Sequence, residues 1–180
     1  MQAQPDNTPH DDPPMVCVIV SRYNGSVTSR LLEGAERVFR ERFGPDAPLG
    51  VVEAPGAFEL ASLSAAVSHT EFYDGIVALG CVIRGETDHD RYISHAVADA
   101  LANLPGQTGV PVAFGVITAN TPEQAEARAG GAKGNKGAEA MHALLAAIDG
   151  IDHVLMTSAR GEPAAFRLDG SASPDKAGGR

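Results

Sequence analysis

The chain has 180 residues, 43% of them hydrophobic and 21% charged, a balance typical of one globular domain with a substantial core. Its formal net charge of −9 disfavours a general nucleic-acid binder, since such proteins need a basic surface. No segment approaches the roughly 20 apolar residues of a membrane helix, and the acidic, proline-bearing start is unlike a signal peptide.

The first elements along the chain are a tail, a strand and a helix. Residues 1–14 hold four prolines and three aspartates with little to bury, so they predict a disordered tail. Residues 15–20 form a short apolar run rich in β-branched side chains, which is typical of a strand buried on both faces. A helical period follows, with Ser26 as its candidate cap and apolar side chains at Val27, Leu31, Leu32, Ala35, Val38 and Phe39.

Strands and helices continue to alternate. The patterns predict strands at 49–54, 75–83 and 110–118, with helices between them at 57–67 and about 93–104. Residues 121–124, Thr-Pro-Glu-Gln, have the composition of a helix start, and a last helix is predicted at about 134–148. Residues 158–180 are rich in Gly, Ser, Pro and Ala without a period, which predicts a second disordered tail and a domain at 15–157.

This alternation predicts the fold class. Four strands, each followed by a helix, favour a single α/β domain in which a parallel sheet is covered on both faces through right-handed crossovers. In such doubly wound sheets, ligands bind beyond the carboxyl ends of the strands. The segments in which to search for a site are therefore 21–25, 54–59, 84–89 and 118–121.

The segment after the third predicted strand carries the richest set of residues. Gly85 allows the backbone to approach a ligand closely, Thr87 adds a hydroxyl, and the free amides of a helix start bind anions. A neutral imidazole from His89 beside a bound phosphate would serve as a proton shuttle. Spacing alone equally allows Thr87 or Asp88 to be an ordinary helix cap and His89 a solvated first-turn residue.

A second cluster of interest is glycine-rich and basic. Residues 128–137 hold three cations and four glycines between two predicted helices, which suits either an anion site or a flexible connection. The cluster contains no GxxxxGK[ST] pattern, and no GxGxxG follows the first strand. Nucleotide binding of those two kinds is therefore disfavoured.

Two aromatic residues and a carboxylate follow the first two strands. Tyr23 and the pair Phe58-Glu59 offer rings to stack and a carboxylate to accept hydrogen bonds, both useful for a planar heterocycle. Tyr23 equally suits the edge of the core, and Glu59 suits a helix start. Phe114 lies in a predicted buried strand, where a core role is the first interpretation.

Neither a disulfide nor a metal site is expected. Cys17 and Cys81 lie in apolar runs without a CxxC pattern, which predicts buried free thiols and a cytoplasmic protein. His89 and His95 are six residues apart, so on one helix they face away from each other and cannot share a metal ion.

Five strings, taken in order, resemble the 6,7-dimethyl-8-ribityllumazine synthase family over about residues 15–148. They are Ser21-Arg22-Tyr23-Asn24 with Leu31-Leu32-Glu33-Gly34-Ala35; Pro55-Gly56-Ala57-Phe58-Glu59-Leu60; Ala78-Leu79-Gly80-Cys81-Val82-Ile83-Arg84-Gly85-Glu86-Thr87 with His89; Pro111-Val112-Ala113-Phe114-Gly115-Val116; and Glu123-Gln124-Ala125 through Arg128-Ala129-Gly130 to Gly134-Asn135-Lys136-Gly137. Each string is weak alone, but five in register are highly specific. The resemblance implies a flavodoxin-like, three-layer αβα domain with a four-stranded parallel sheet.

The resemblance implies a transferase of riboflavin biosynthesis. Members of the family condense 5-amino-6-(D-ribitylamino)uracil with 3,4-dihydroxy-2-butanone 4-phosphate to 6,7-dimethyl-8-ribityllumazine, releasing phosphate and water, without a metal or redox cofactor. Their sites lie between adjacent subunits, which implies a homopentamer or a pentamer-based assembly. No nucleic-acid or membrane partner is implied.

The resemblance also implies residue roles. His89 would transfer protons during Schiff-base formation, phosphate loss and ring closure. Glu86 would bind the phosphate through its backbone amide, because its carboxylate would repel the anion. The other phosphate-binding residues would be Gly85, Thr87 and Arg128. The pyrimidine substrate would be bound by Tyr23, Ala57, Phe58, Glu59, Cys81, Val82, Ile83, Lys136 and, from a neighbouring subunit, Phe114.

Asp90 is the clearest departure from the family pattern. An aromatic residue usually follows the histidine, whereas here Asp90-Arg91 precedes the familiar Tyr92. This carboxylate beside His89 leaves the working protonation state of the histidine open. Asp90 and the long tails together motivate a second hypothesis, in which the chain is a flavin- or lumazine-binding or shell-forming relative with low turnover. The retained His89, Arg128 and Thr87 favour the enzyme. A generic phosphate-ester enzyme would explain residues 85–87 but not the other ordered strings.

Overall fold

Four parallel strands form the central sheet of the protein, seen in a computed structural model that describes residues 13–168. They are β1 (Val16–Ser21), β2 (Leu49–Ala54), β3 (Gly75–Ile83) and β4 (Val112–Ala119). Their order across the sheet is β2-β1-β3-β4. A short antiparallel pair, β5 (Ala129–Gly131) and β6 (Gly134–Asn135), stands apart from this sheet.

Within residues 13–168, five helices cover the sheet on both faces. They are α1 (Gly25–Phe43), α2 (Leu60–Ser68), α3 (His89–Thr108), α4 (Pro122–Ala127) and α5 (Lys136–Ala159). Side chains of α1, α4 and α5 share one buried cluster with the sheet, and those of α2 and α3 share a second cluster. The predicted three-layer α/β domain is confirmed, with the strand order of flavodoxin-like folds.

The two middle strands are buried on both faces, as predicted. In β1, Val16, Val18 and Val20 join the α1 and α5 side, while Cys17 and Ile19 join the α2 and α3 side. By contrast, β4 is an edge strand in which buried and accessible residues alternate. The core interpretation of Phe114 is wrong, because the side chain lies on this edge and is 48% exposed.

Asn135 and two glycines hold α5 against α1. The Asn135 side-chain oxygen accepts hydrogen bonds from the Gly137 and Ala138 amides at 2.9 and 3.1 Å, while its Nδ2 donates to the Arg30 carbonyl oxygen at 2.7 Å. A Cβ on Gly34 would occupy the space of this Asn135 side chain. The side-chain cap therefore fixes where α5 starts and also where it touches α1.

Several helix ends differ from the prediction, since α2 begins at Leu60 and not at residue 57, and α3 spans His89–Thr108 instead of about 93–104. The N-cap of α1 is Asn24 and not Ser26, since Asn24 adopts a left-handed conformation with φ 58° that ends the turn after β1. The last helix continues to Ala159 instead of ending near residue 148, so the predicted C-terminal tail overlaps its final turn. Beyond it, the Phe166 ring lies 5.8 Å from the His153 ring, between centroids.

The predicted tails fall mostly beyond the part of the chain that the structure describes. Residues 1–12 and 169–180 lie outside it, so the predicted disorder there stays a prediction. Within residues 13–168, no helix combines the length and apolarity that crossing a membrane requires.

Candidate active site

The carboxyl ends of β1, β2 and β3 open onto a cavity of about 880 Å³, here called the strand-end cavity. This is the place where doubly wound sheets bind ligands. The predicted site residues that line it are Tyr23, Ala57, Phe58, Glu59, Cys81, Val82, Ile83, Gly85, Thr87 and His89.

After β1, a single asparagine positions the first wall of the cavity. Asn24 is left-handed, a conformation that asparagine tolerates better than most residues, and its Nδ2 donates to the Cys81 carbonyl oxygen at 2.9 Å. This bond joins the start of α1 to the end of β3. Tyr23, just before the turn, is left 71% exposed with its ring at the cavity.

After β2, residues 54–59 form the second wall. The Arg22 amide donates to the Ala54 carbonyl oxygen at 2.8 Å, so the pairing of β1 with β2 extends to this point. Ala57 is buried, whereas the Phe58 ring is 59% exposed at the cavity. The Glu59 carboxylate lies over Gly56, where an added Cβ would come within 3.0 Å of its Oε2.

After β3, the chain passes through Gly85 and Thr87 into α3, which begins at His89. Asp88 occupies the N-cap position of α3, one of the two cap positions that spacing allowed, although its side chain accepts no cap hydrogen bond. Both Glu86 and His89 are exposed, but only His89 lines the cavity. Burial raises the pKa of the Cys81 thiol to about 11, so this side chain is an uncharged wall at neutral pH.

Three predicted site residues lie elsewhere in the subunit. Phe114 and Lys136 line a second cavity of about 400 Å³ between β4 and α5, here called the edge cavity. The Lys136 ammonium pairs there with the Glu139 carboxylate. Arg128 follows α4, donates from Nη1 to the Gln124 carbonyl oxygen at 3.1 Å, and lines neither cavity.

Sequence reasoning did not assign a role to several lining residues. On α3, Asp90, Tyr92, Ile93 and Ala96 also reach the strand-end cavity. Tyr92, Ile93 and Ala96 follow His89 by three, four and seven residues, so the helical period starting from the histidine was the signal that could have found these three. Asn24 and Gly56 complete the wall.

The described part of the chain holds no cluster of side chains that could bind a metal ion. Among residues 13–168, no group of three or more His, Cys, Asp or Glu side chains converges in a way that would hold an ion.

Known proteins resemble this chain over most of its length. A family model described as 6,7-dimethyl-8-ribityllumazine synthase matches residues 14–151. Proteins named 6,7-dimethyl-8-ribityllumazine synthase from two strains of Thermus thermophilus are 43% identical to it over 130 residues, which covers 72% of this chain and 83% of each relative.

Proposed function

This chain belongs to the 6,7-dimethyl-8-ribityllumazine synthase family, and we propose that its strand-end cavity holds both substrates of that reaction. The chain catalyses the condensation of 5-amino-6-(D-ribitylamino)uracil with 3,4-dihydroxy-2-butanone 4-phosphate, with release of phosphate and water. The observation that carries the site assignment is that three strand ends and His89 line one cavity.

The pyrimidine substrate lies between the first two strand ends. Tyr23 and Phe58 present exposed rings there, which suits stacking on a planar heterocycle. Ala57 and Glu59 contribute to binding the uracil and ribityl groups. Cys81, Val82 and Ile83 add an apolar wall, with the Cys81 thiol protonated at neutral pH because burial raises its pKa.

The butanone phosphate lies at the start of α3. Gly85 and Thr87 line the cavity at that point, and an anion there gains from the helix dipole and from free backbone amides. Glu86 binds the phosphate through its backbone amide. Its side chain is exposed and does not line the cavity, which keeps the carboxylate away from the phosphate. His89 then moves protons as the amine attacks the ketone, the phosphate leaves and the ring closes.

The active assembly is a homopentamer or is built from pentamers. Phe114 and Lys136 lie at the edge cavity and Arg128 lies after α4, so none of the three lines the strand-end cavity of its own subunit. Each of them serves the strand-end cavity of the adjacent subunit. The half-exposed Phe114 on an edge strand supports this head-to-tail arrangement.

The experiment mixes the purified protein with both substrates and follows lumazine formation by absorbance and fluorescence. We expect a rate well above the uncatalysed background. A rate equal to that background, with the lumazine still bound, would instead favour the low-turnover binding relative. Light scattering tests the assembly, and a stable monomer of 18.6 kDa would contradict the shared site.

Two variants test the proposed roles. His89→Ala should slow turnover by about 100-fold or less, because the two reactants remain positioned. His95→Ala is the matched control, since this exposed histidine of α3 does not line the cavity. Arg128→Ala should raise the KM for the butanone phosphate by about tenfold and leave the pyrimidine KM nearly unchanged. Lys133→Ala is its control.

We propose a cytoplasmic site of action. Cys17 and Cys81 are free and buried, which fits a reducing compartment.

A further inference from the structure

One ion pair supplies both charges of the edge cavity. Among the residues of the described chain that line this cavity, Lys136 and Glu139 are the two that carry a charge. The Lys136 ammonium donates to Oε2 of Glu139, three residues further along α5. The carboxylate is the more buried member, with its side chain 27% exposed against 46% for the lysine. Glu139 therefore anchors the pair, while the ammonium stays accessible.

The start of α5 holds the Glu139 carboxylate in place. Glu139 lies in the first turn of α5, where the helix dipole stabilises a negative charge. Its Oε1 lies beside Gly134, where an added Cβ would come 3.3 Å from this oxygen. The Asn135 side chain caps the same turn, so the backbone that carries Glu139 is fixed as well.

Lys136 needs a partner to keep its ammonium at this place. It is the first residue of α5, where the helix dipole disfavours a positive charge. Its flexible four-carbon stem also gives an unpaired lysine many conformations, and ordering it on binding costs affinity. Glu139 counteracts both effects. One of the three N–H donors of the ammonium goes to the carboxylate, which leaves two for a ligand.

The Lys136–Glu139 pair suits an uncharged ligand with acceptor oxygens. The two charges cancel, so the edge cavity offers N–H donors without an excess of positive charge. The carbonyl oxygens of a pyrimidine accept from such donors. Exposed ion pairs within one helix contribute little to the stability of a fold, so a role in positioning explains the pair better than a role in folding.

We propose that Glu139 is a positioning residue, which holds the Lys136 ammonium where it donates to the pyrimidine in the strand-end cavity of the adjacent subunit. The inference rests on the proposed function, in which Phe114 and Lys136 from the edge cavity complete that site. Glu139 acts through Lys136 and makes no contact of its own with the substrate.

The test compares wild type with Glu139→Gln, Lys136→Ala and the double variant in the full-length assembled protein. The probes are the KM of each substrate and the Kd of 6,7-dimethyl-8-ribityllumazine, measured by its fluorescence without turnover. Glu139→Gln should weaken lumazine binding and raise the pyrimidine KM by about three- to tenfold, as expected for ordering one long side chain. The KM for butanone phosphate should change by less than about twofold, because Lys136 does not bind that substrate.

The double variant separates positioning from direct contact. In the Lys136→Ala background, Glu139→Gln should change the lumazine affinity by less than about twofold, because the residue through which Glu139 acts is gone. An equal loss in both backgrounds would overturn the inference, as would unchanged lumazine affinity in Glu139→Gln alone.

Glu41→Gln is the matched control. It removes the carboxylate of another exposed ion pair within one helix, with Arg37 in α1, and Glu41 lines neither cavity. Its lumazine affinity should equal that of wild type, and a loss as large as that of Glu139→Gln would contradict the inference. Should Glu139→Gln fail to assemble, Glu139→Met, similar in length and uncharged, gives the same comparison.

Failure of this inference is distinguishable from failure of the proposed function. A wild-type protein that forms no lumazine above background refutes the function, and unchanged lumazine affinity in Lys136→Ala refutes the proposed role of Lys136. A wild type that turns over normally, with weakened binding in Lys136→Ala but not in Glu139→Gln, refutes only the role of Glu139.

Discussion

Replacement of Gly137 by alanine tests the contact that holds α5 against α1. A Cβ at this position would lie 1.9 Å from the Leu31 carbonyl oxygen, whereas real Cβ atoms essentially never come closer than 3.0 Å. The colliding atom belongs to the backbone of α1 and cannot rotate away. The two helices must therefore separate by about 1 Å, which disrupts the packing between them.

The expected cost follows from two opposing effects. Overpacking of a close-packed interior costs about 1–3 kcal/mol and occasionally more, and a backbone collision belongs at the upper end. Alanine in place of glycine gains about 1 kcal/mol of helix propensity. We expect a net loss of about 2 kcal/mol in the free energy of unfolding, or a fall of about 4–8 °C in the thermal midpoint for a chain of this length.

The matched control is Gly106→Ala, also within a helix. Its Cβ would meet no atom within 4 Å, so only the propensity gain of about 0.5–1 kcal/mol remains. Urea denaturation followed by circular dichroism measures both variants at one protein concentration. If Gly137→Ala proved as stable as Gly106→Ala, the argument from the Leu31 contact would be refuted.

Three further predictions concern Asn24, Thr121 and the two buried cysteines. Asn24→Ala should lower the unfolding free energy by about 2 kcal/mol, since it loses the bond to the Cys81 carbonyl and strains a left-handed residue. Asn24→Gly should lose only part of this in the same urea titration. Thr121→Ala removes the cap bond to the Gln124 amide, which should cost about 1 kcal/mol, and NMR titration should show the lowered pKa of Glu123 move back up. Equal stability to wild type, or an unmoved Glu123 titration, would contradict the capping contact. Burial raises the pKa of the Cys17 and Cys81 thiols from 9.0 to about 11, so the stability that they contribute is present below pH 9 and lost between pH 9 and 11. Iodoacetamide should label them slowly at pH 8 until urea unfolds the protein, and fast labelling of the folded protein would contradict their burial.

The middle of the sheet was predictable because it is buried on both faces. The runs at β1 and β3 are continuously apolar, and the bounds predicted for β3 match the structure. The start of α4 was predictable from local chemistry, since Thr121 accepts from the Gln124 amide as its sequence pattern indicates. These features depend on neighbours along the chain.

Other features depend on partners that are distant in sequence. The end of α5 was missed because Ile151, Val154 and Leu155 continue the helix while remaining exposed, so no buried stripe marks it. Asn24 bonds to Cys81, which is 57 residues away, and no local pattern shows this. Phe114 was first interpreted as core because a short apolar run does not tell a middle strand from an edge strand.

The separation between the strand-end cavity and the edge cavity has a genetic consequence. In the proposed ring of head-to-tail subunits, each composite site would take His89 from one copy and Phe114 from the next. Two alleles, one damaged at each residue, would then be impaired at every site when alone, but about one quarter of the sites would be intact when the two are coexpressed in equal amounts. A defect at one cavity is thus compensated where the neighbouring subunit supplies the intact residue. Complementation between the two alleles would therefore test in a living cell whether the site is shared.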